Sequence, residues 1–315
     1  MRRKIIRQGH NTFTISLPKK WCDSHNLKEG EEIEIGEKGE VLVLSKEAYR
    51  GDESISLDIS GLERGAIILL IESLYTYGYN NLKLATKDVK VHDYMHKKDL
   101  PVNSVIQNAI NRLIGAELVS SSKNNFEIEV LIQDSQEKFD VTLRRLFLLI
   151  MSMFESFIEG IKKKDKSKME AVEMEHINVK KFSNYALRLL NKFGHQEAEK
   201  TTFYFAIIKF LSKFDETIKN FAGYTIREGK LDLSEKCIDM IEEISGAFKK
   251  YYSIFYKYDL KKMSELHMDR DLFKQRLYVE KYKSLSKDDI FILAGLTQGY
   301  DVILELMELR MAIEH

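Results

Sequence analysis

The sequence predicts a multidomain chain with a small β-rich head, a short α+β segment and a long all-α region built of two similar halves. Three observations carry the prediction. Phe13, Ile15 and Leu17 alternate with Thr12, Thr14 and Ser16, the period of a half-buried strand. Beyond residue 137 apolar residues keep helical spacing almost to the end of the chain, and only two prolines, Pro18 and Pro101, interrupt the 315 residues. The helical region also repeats itself at a shift of 94 residues, pairing Phe154 with Phe248, Phe157 with Tyr251, Ile161 with Phe255, Asp165 with Asp259, Lys168 with Lys262 and Met169 with Met263.

In the head, residues 1–50, Pro18 stops the first strand and starts a short helix to about Asn26 that carries Trp21. A turn at Leu27–Gly30 follows. Ile33 and Ile35, then Val41 and Val43, alternate on either side of Gly36-Glu-Lys-Gly39, which predicts a hairpin. A segment this short lies near the limit at which a lone core stays folded, so a dimer is expected.

Charge in the head is one-sided. Arg2, Arg3, Lys4, Arg7, His10, Lys19 and Lys20 precede the first carboxylate, Asp23. Such a run is also what a solvated tail looks like. The residues around it narrow the reading: Lys4-Ile-Ile-Arg-Gln-Gly-His-Asn-Thr-Phe-Thr-Ile-Ser-Leu-Pro-Lys19, followed by Leu27-Lys-Glu-Gly-Glu-Glu-Ile-Glu-Ile35, resembles the swapped-hairpin domain of the AbrB, MazE and SpoVT regulators. The resemblance implies a dimer of interleaved strands that sets Arg2, Arg3, Lys4, Arg7, His10 and Asn11, and with them Lys19, against double-stranded DNA. Two copies of the patch would double the charge facing the phosphates.

The middle segment, residues 51–136, reads as a small α+β unit. Ile55, Leu57 and Ile59 alternate as a strand, and Leu62 to Tyr75 follow helical spacing up to Gly78. Then come a strand at Leu82–Leu84, a helix from Pro101 to Ile114, and a strand pair at Glu117–Val119 and Phe126–Ile132. Leu113-Ile-Gly-Ala-Glu-Leu-Val119 resembles the connecting region of archaeal phosphate-uptake-regulator-like proteins. His92 and His96, four apart, are expected in a solvated loop rather than as metal ligands.

From residue 137 to 315 breaks near Asp165, His195, Gly229, Asp259 and Ser286 divide the chain into six helices, three in each repeat, with repeats at about 137–229 and 230–315. The repeated Asp-x-x-Lys-Met at the second helix of each half resembles PhoU, the phosphate-uptake regulator built of tandem three-helix bundles. That family carries acidic motifs that hold clustered iron or zinc. Carried over, they fall on Ser212, Glu216 and Asn220 in one half and Thr297, Asp301 and Glu305 in the other, with His176 and Lys180, then Arg270 and Lys274, on the second helices. Hydroxyls and cations stand where carboxylates are needed, so no metal is expected here. Glu173 and His176 are expected on an exposed helix face, and Tyr251, Tyr252, Phe255 and Tyr256 in core or interface packing.

Composition excludes several classes. Lys plus Arg and Asp plus Glu both number 49, so there is no uniformly basic coat. Two distant cysteines, Cys22 and Cys237, support neither a disulfide framework nor a thiolate site. The apolar run at 66–71 is far shorter than the roughly 20 residues of a membrane span, and the amino terminus has no apolar signal core, so a cytoplasmic protein without membrane insertion is expected. No nucleophile triad or glycine-rich phosphate loop stands out. The expectation is therefore a protein that is not an enzyme and uses no cofactor. It is a homodimeric DNA-binding regulator linked to phosphate homeostasis, with helical bundles that sense a signal or dock a partner. The alternative is a signalling protein that docks on a phosphate transporter or regulator without sequence-specific DNA binding.

Overall fold

The computed structural model describes residues 2–38, 41–45, 54–229, 233–279 and 285–314. The chain divides into two compact units, Met1–Gly51 and Asp52–His315. In the first, β1 (Ile6–Gln8) and β2 (Thr12–Thr14) form a short antiparallel hairpin, α1 (Lys19–Ser24) follows Pro18, and β3 (Glu34–Lys38) pairs with β4 (Val41–Ser45). The second hairpin does not turn at Gly36. That glycine lies inside β3 opposite Val43, and pairing continues to Lys38 opposite Val41.

The second unit opens with β5 (Ser54–Asp58), α2 (Arg64–Tyr77), β6 (Asn81–Ala85), β7 (Lys90–Asp93), β8 (Lys98–Pro101), α3 (Val102–Ile110), β9 (Ala116–Ser121) and β10 (Asn125–Val130). Its sheet has the order β5-β6-β10-β9, with β5 and β6 parallel and the other pairs antiparallel. Alternation places Leu82, Leu84, Phe126 and Ile128 on the buried face, where Ile67, Ile71 and Tyr75 of α2 and Val105, Ile106 and Ala109 of α3 join them in one core. His92 lies in β7, paired with β8, rather than in a loop, while His96 lies in the turn between the two strands, closed by Lys97 at positive φ. Helix α3 stops at Ile110, four residues short of the expected end.

Six long helices follow: α4 (Lys138–Lys163), α5 (Lys166–Phe193), α6 (Thr201–Glu228), α7 (Glu235–Tyr256), α8 (Leu260–Val279) and α9 (Lys287–Glu314). The repeated Asp-x-x-Lys-Met has a local cause. Asp165 Oδ1 accepts from the backbone N–H of Ser167 at 2.9 Å and of Lys168 at 3.4 Å, and Asp259 Oδ1 does the same for Lys261 at 3.0 Å and Lys262 at 3.2 Å. Both aspartates cap a helix start, and Met169 and Met263 are the first residues each helix sends into the core. The first helices, α4 and α7, and the third helices, α6 and α9, pack across the two halves. Phe214 stacks on Phe248 at 4.6 Å and meets Phe154 at 5.8 Å, so the repeat-related Phe154 and Phe248 share one neighbour. A Cβ at Gly295 of α9 would overlap the Phe221 ring of α6, so the ring packs where only a glycine leaves room.

By length and composition α9 could cross a membrane, a feature the short apolar runs did not suggest. Its apolar residues are spent inside the bundle, with Ile292, Leu293, Leu296, Ile303 and Leu306 buried. Tyr251 and Phe255 are core, as expected from their spacing, whereas Tyr256 is 40 % exposed.

The α+β segment and the helices are fastened by a buried arginine. Arg188 of α5 is fully buried; its Nε donates to Asp134 Oδ2 at 2.9 Å, and its Nη1 donates to the Tyr75 and Tyr79 carbonyls at 2.9 and 2.8 Å. Its Nη2 donates to Asn80 Oδ1, and the guanidinium lies 4.9 Å from the Tyr75 ring centre. Removing the arginine leaves the buried Asp134 carboxylate, among the described residues, with Lys192 alone, at 2.9 Å, and strips the Tyr79 carbonyl and the Asn80 amide oxygen of a charged donor. Arg188→Ala is expected to destabilise the chain by about 3–5 kcal/mol in urea denaturation. Arg188→Lys is expected to recover only part of this, because a point-charge ammonium cannot hold four acceptors in one plane.

Candidate nucleic-acid interface and the charged helix faces

The β1–β2 hairpin turns through Gly9, whose φ of +75° places it in the left-handed region that glycine tolerates best. Register sets Arg7 opposite Phe13 on one face, and Ile6 opposite Thr14 and Gln8 opposite Thr12 on the other. His10 and Asn11 form the tip. Arg2, Arg3, Lys4, Arg7, His10, Asn11 and Lys19 are all exposed, so the hairpin, the residues leading into it and the start of α1 present their basic and polar groups to solvent. The Arg7 Nη2 donates to the His10 carbonyl at 2.8 Å, tying the side chain to the turn. Beyond the DNA contact that the resemblance implies for it, Arg7 holds the tip that carries His10 and Asn11.

Large apolar side chains in this unit are uncovered. Ile6 is 60 % exposed, Phe13 70 %, Ile35 59 % and Leu42 61 %. Faces of this size on a short strand pair mark an interaction surface rather than a finished core.

The helical carry-over positions meet as the spacing implied, but as ion pairs. In the second half Asp301 of α9 accepts from Arg270 Nη2 at 2.6 Å and sits 2.7 Å from Lys274 Nζ, both on α8. Burial pushes the Asp301 carboxyl up, yet the hydrogen bonds from Lys274 and Arg270 outweigh it and hold the group below the usual aspartate value. In the first half Glu216 of α6 lies 3.7 Å from Lys180 and 3.3 Å from Lys219, and these cations with His176 hold it low against the opposing effect of burial.

His176 departs from its expected exposed position. It is buried, and its Nδ1 pairs with the fully buried Asp215 Oδ2 at 2.9 Å, while Nε2 lies 3.7 Å from Glu216. Burial raises the Asp215 carboxyl above its ordinary range, and its second oxygen has no hydrogen-bond partner among the described residues. Two signals for this pair were legible. His176 stands in the stripe Met169, Val172, His176, Val179, and Asp215 in the stripe Leu211, Asp215, Ile218, Ala222. Glu173, by contrast, is exposed as expected.

His176, Asp215 and Glu216 bring ligand atoms within 4.8 Å of one another. A multinuclear cluster of the kind the PhoU resemblance implies does not fit these residues. Such a cluster needs several converging carboxylates, and here Lys180, Lys219, Arg270 and Lys274 already neutralise those present. His92 and His96 are not brought together as ligands either, since each pairs with its own aspartate, Asp99 and Asp93, at 2.8 Å.

Residues 6–52 match the family described as "Antidote-toxin recognition MazE, bacterial antitoxin". No curated protein and no solved structure matches the chain.

Treatment with EDTA is expected to leave the thermal midpoint nearly unchanged, since ion pairs already answer the charge of these carboxylates. A large drop restored by iron or zinc would show that His176, Asp215 and Glu216 hold a metal. Acid has a defined sign at Asp301. The unfolded chain takes up its proton near 3.8, before the folded one does, so the pair's stabilisation is complete above that value. It is lost as the pH falls through the lower folded value. Asp301→Asn should therefore flatten the stability–pH curve below about pH 4 in acid titration followed by circular dichroism.

Proposed function

We propose that the chain is a homodimeric DNA-binding regulator whose head contacts duplex DNA and whose helical region receives a signal linked to phosphate status. The observation that carries this reading is the β1–β2 hairpin, an exposed cationic surface adjoining uncovered apolar side chains, within a segment that matches a regulator family. Pairing two copies would cover Ile6, Phe13, Ile35 and Leu42 and set two basic surfaces on one assembly. His10 and Asn11 at the tip offer imidazole and amide groups suited to base edges, while Arg2, Arg3, Lys4 and Lys19 suit phosphates. The phosphate link is supported by the PhoU resemblance of the repeated helices and by nothing in the site geometry.

A second reading follows from the matched family's description: the head, or the chain as a whole, neutralises a toxin partner. In that case the exposed apolar residues of the head would be covered by a different protein. A signalling protein that docks on a phosphate transporter or regulator through its bundles, with the head serving as a dimer clamp, is the alternative that needs no DNA.

The full chain is expected to sediment as a dimer at micromolar concentration. On a duplex, Arg3→Ala and Lys4→Ala should each reduce the slope of log affinity against log salt by up to about 2, because a symmetric dimer loses two contacts of about 0.9 each. His10→Ala and Asn11→Ala should change preference among sequences with little change in slope. A salt-titrated anisotropy assay reads both effects. A monomer, or a slope unchanged by every one of these cationic substitutions, would overturn the DNA reading and favour a protein partner.

A further inference from the structure

At one end of the helical region α4, α6, α7 and α9 leave a groove of about 440 Å³ that belongs to neither charged helix pair described above. Its size falls within the roughly 300–1,000 Å³ of small-molecule sites. The seam between the two halves creates it, since α4 and the start of α6 belong to the first half and the ends of α7 and α9 to the second. Buried Leu143, Phe255 and Ile313 supply apolar wall.

The polar lining is uneven in how it is used. Arg310 is pinned: its Nε donates to the Phe255 carbonyl at 2.9 Å and its Nη1 lies 2.7 Å from Glu314. Lys200 lies 2.7 Å from Glu197. Arg144 has no such anchor. Its guanidinium lies 4.8 Å from the centre of the Tyr256 ring and makes no hydrogen bond or ion pair among the described residues. The Tyr204 and Tyr256 hydroxyls likewise have no hydrogen-bond partner among the described residues; burial raises both phenols above the ordinary range, and a phenol is a protonated donor at neutral pH. Several comparable groups elsewhere in this unit are engaged: Tyr75 donates to the Ile114 carbonyl, Tyr251 to the Leu306 carbonyl, and Arg188, Arg270 and Arg276 hold carboxylates.

We propose that this groove binds a small anion with an apolar ring-bearing body, its anionic group taken by Arg144 with the hydroxyls of Tyr204 and Tyr256 and its ring by the wall of Leu143, Phe255 and Ile313. Three cations against the carboxylates Asp140 and Glu314 leave the lining net positive, and a forked guanidinium suits carboxylate and phosphate alike. The same chemistry has two sources, a nucleoside phosphate and an aryl carboxylate. Asp140, in the first turn of α4, adds a negative charge at the rim that opposes the anion. Calling the ligand an effector rests on the proposed regulatory reading; binding itself does not, and it is measured without DNA.

The test is isothermal titration calorimetry on the full chain with four probes: AMP, benzoate, ribose 5-phosphate and inorganic phosphate. Saturable binding of AMP, of benzoate or of both is expected with a Kd below about 1 mM, with ringless probes at least tenfold weaker. AMP alone would assign the nucleoside phosphate, and benzoate alone the aryl carboxylate. Arg144→Ala should weaken binding about tenfold or more, because a charge-assisted hydrogen bond is lost. Its melting temperature should stay unchanged, because the side chain is exposed and unanchored. Tyr204→Phe should weaken binding several-fold and Asp140→Asn should tighten it. The inference is overturned if neither ring-bearing anion binds, if Arg144→Ala binds as the parent chain does, or if inorganic phosphate binds as tightly as AMP. Retention of salt-dependent DNA binding alongside any of these failures would leave the regulatory reading standing and remove only the groove.

Discussion

The second unit depends on one buried guanidinium. Arg188 enters from the C-terminal part of α5 and gathers the carbonyls at the end of α2, the Asn80 side chain before β6 and the Asp134 carboxylate before α4. Helix ends leave carbonyls without partners and carry partial negative charge, so a cation placed there answers several needs with one group. Lys192 adds a second cation to Asp134 at 2.9 Å, and Asn191 donates to the Thr76 carbonyl at 2.7 Å. These contacts lie along one face of α5, and they make the α+β segment and the first bundle a single body. A hydrophobic joint could bury as much surface, but it would not fix the rotation of α2 against α5 so tightly, because apolar contact is not directional.

The same joint explains how the two halves of the repeat differ. Helix α5 is flanked by α4, α6 and α2, and every residue from Ser183 to Leu190 is buried, polar ones included. Helix α8 packs on α7 and α9 and keeps a single buried stripe of Met263, Leu266, Phe273 and Leu277, while Met268 and Leu272 remain exposed. Both helices share one template of cap and core methionine, and the extra partner of α5 changes which residues it can carry. Polar groups in such a surrounded stretch must find partners, and Asn184 does so at the Arg112 carbonyl.

Legibility in the sequence followed the range of the interaction that fixes each feature. The six long helices were readable because caps and apolar stripes act within a few residues, and Asp165 and Asp259 announce two of the starts directly. The strands of the four-stranded sheet were readable by alternation, but their order was not, since it depends on pairing between Asn81–Ala85 and Asn125–Val130 across about forty residues of chain. Gly36 misplaced a turn because a glycine inside a strand looks locally like a breaker. Among the site residues, the pairing of Asp301 with Arg270 and Lys274 was implied by repeat alignment. The pairing of His176 with Asp215 was missed, because a histidine beside Glu173 and Glu175 reads as solvent-facing until its place in the core stripe is counted. Arg188 was invisible for the same reason, as nothing local tells a buried arginine from an exposed one.

The cationic residues that face carboxylates on the bundles limit what those faces can do. A carboxylate set aside for a multivalent ion must stay free of competing cations, and here the competition is covalently present at fixed distance in both halves. The two halves answer the same charge by different residues: Arg270 and Lys274 on Asp301 in one, Lys180, Lys219 and His176 on Glu216 in the other. Repeated independently, such neutralisation behaves as a structural brace between second and third helices. Among the described residues, Arg144, Tyr204 and Tyr256 in the groove at the seam of the repeat keep donors without a hydrogen-bond partner, and the head exposes its cations to solvent. Recognition is therefore better sought where side chains lack internal partners than at the positions the repeat inherits from its resemblance, because only a group without a partner gains a full hydrogen bond when a ligand arrives.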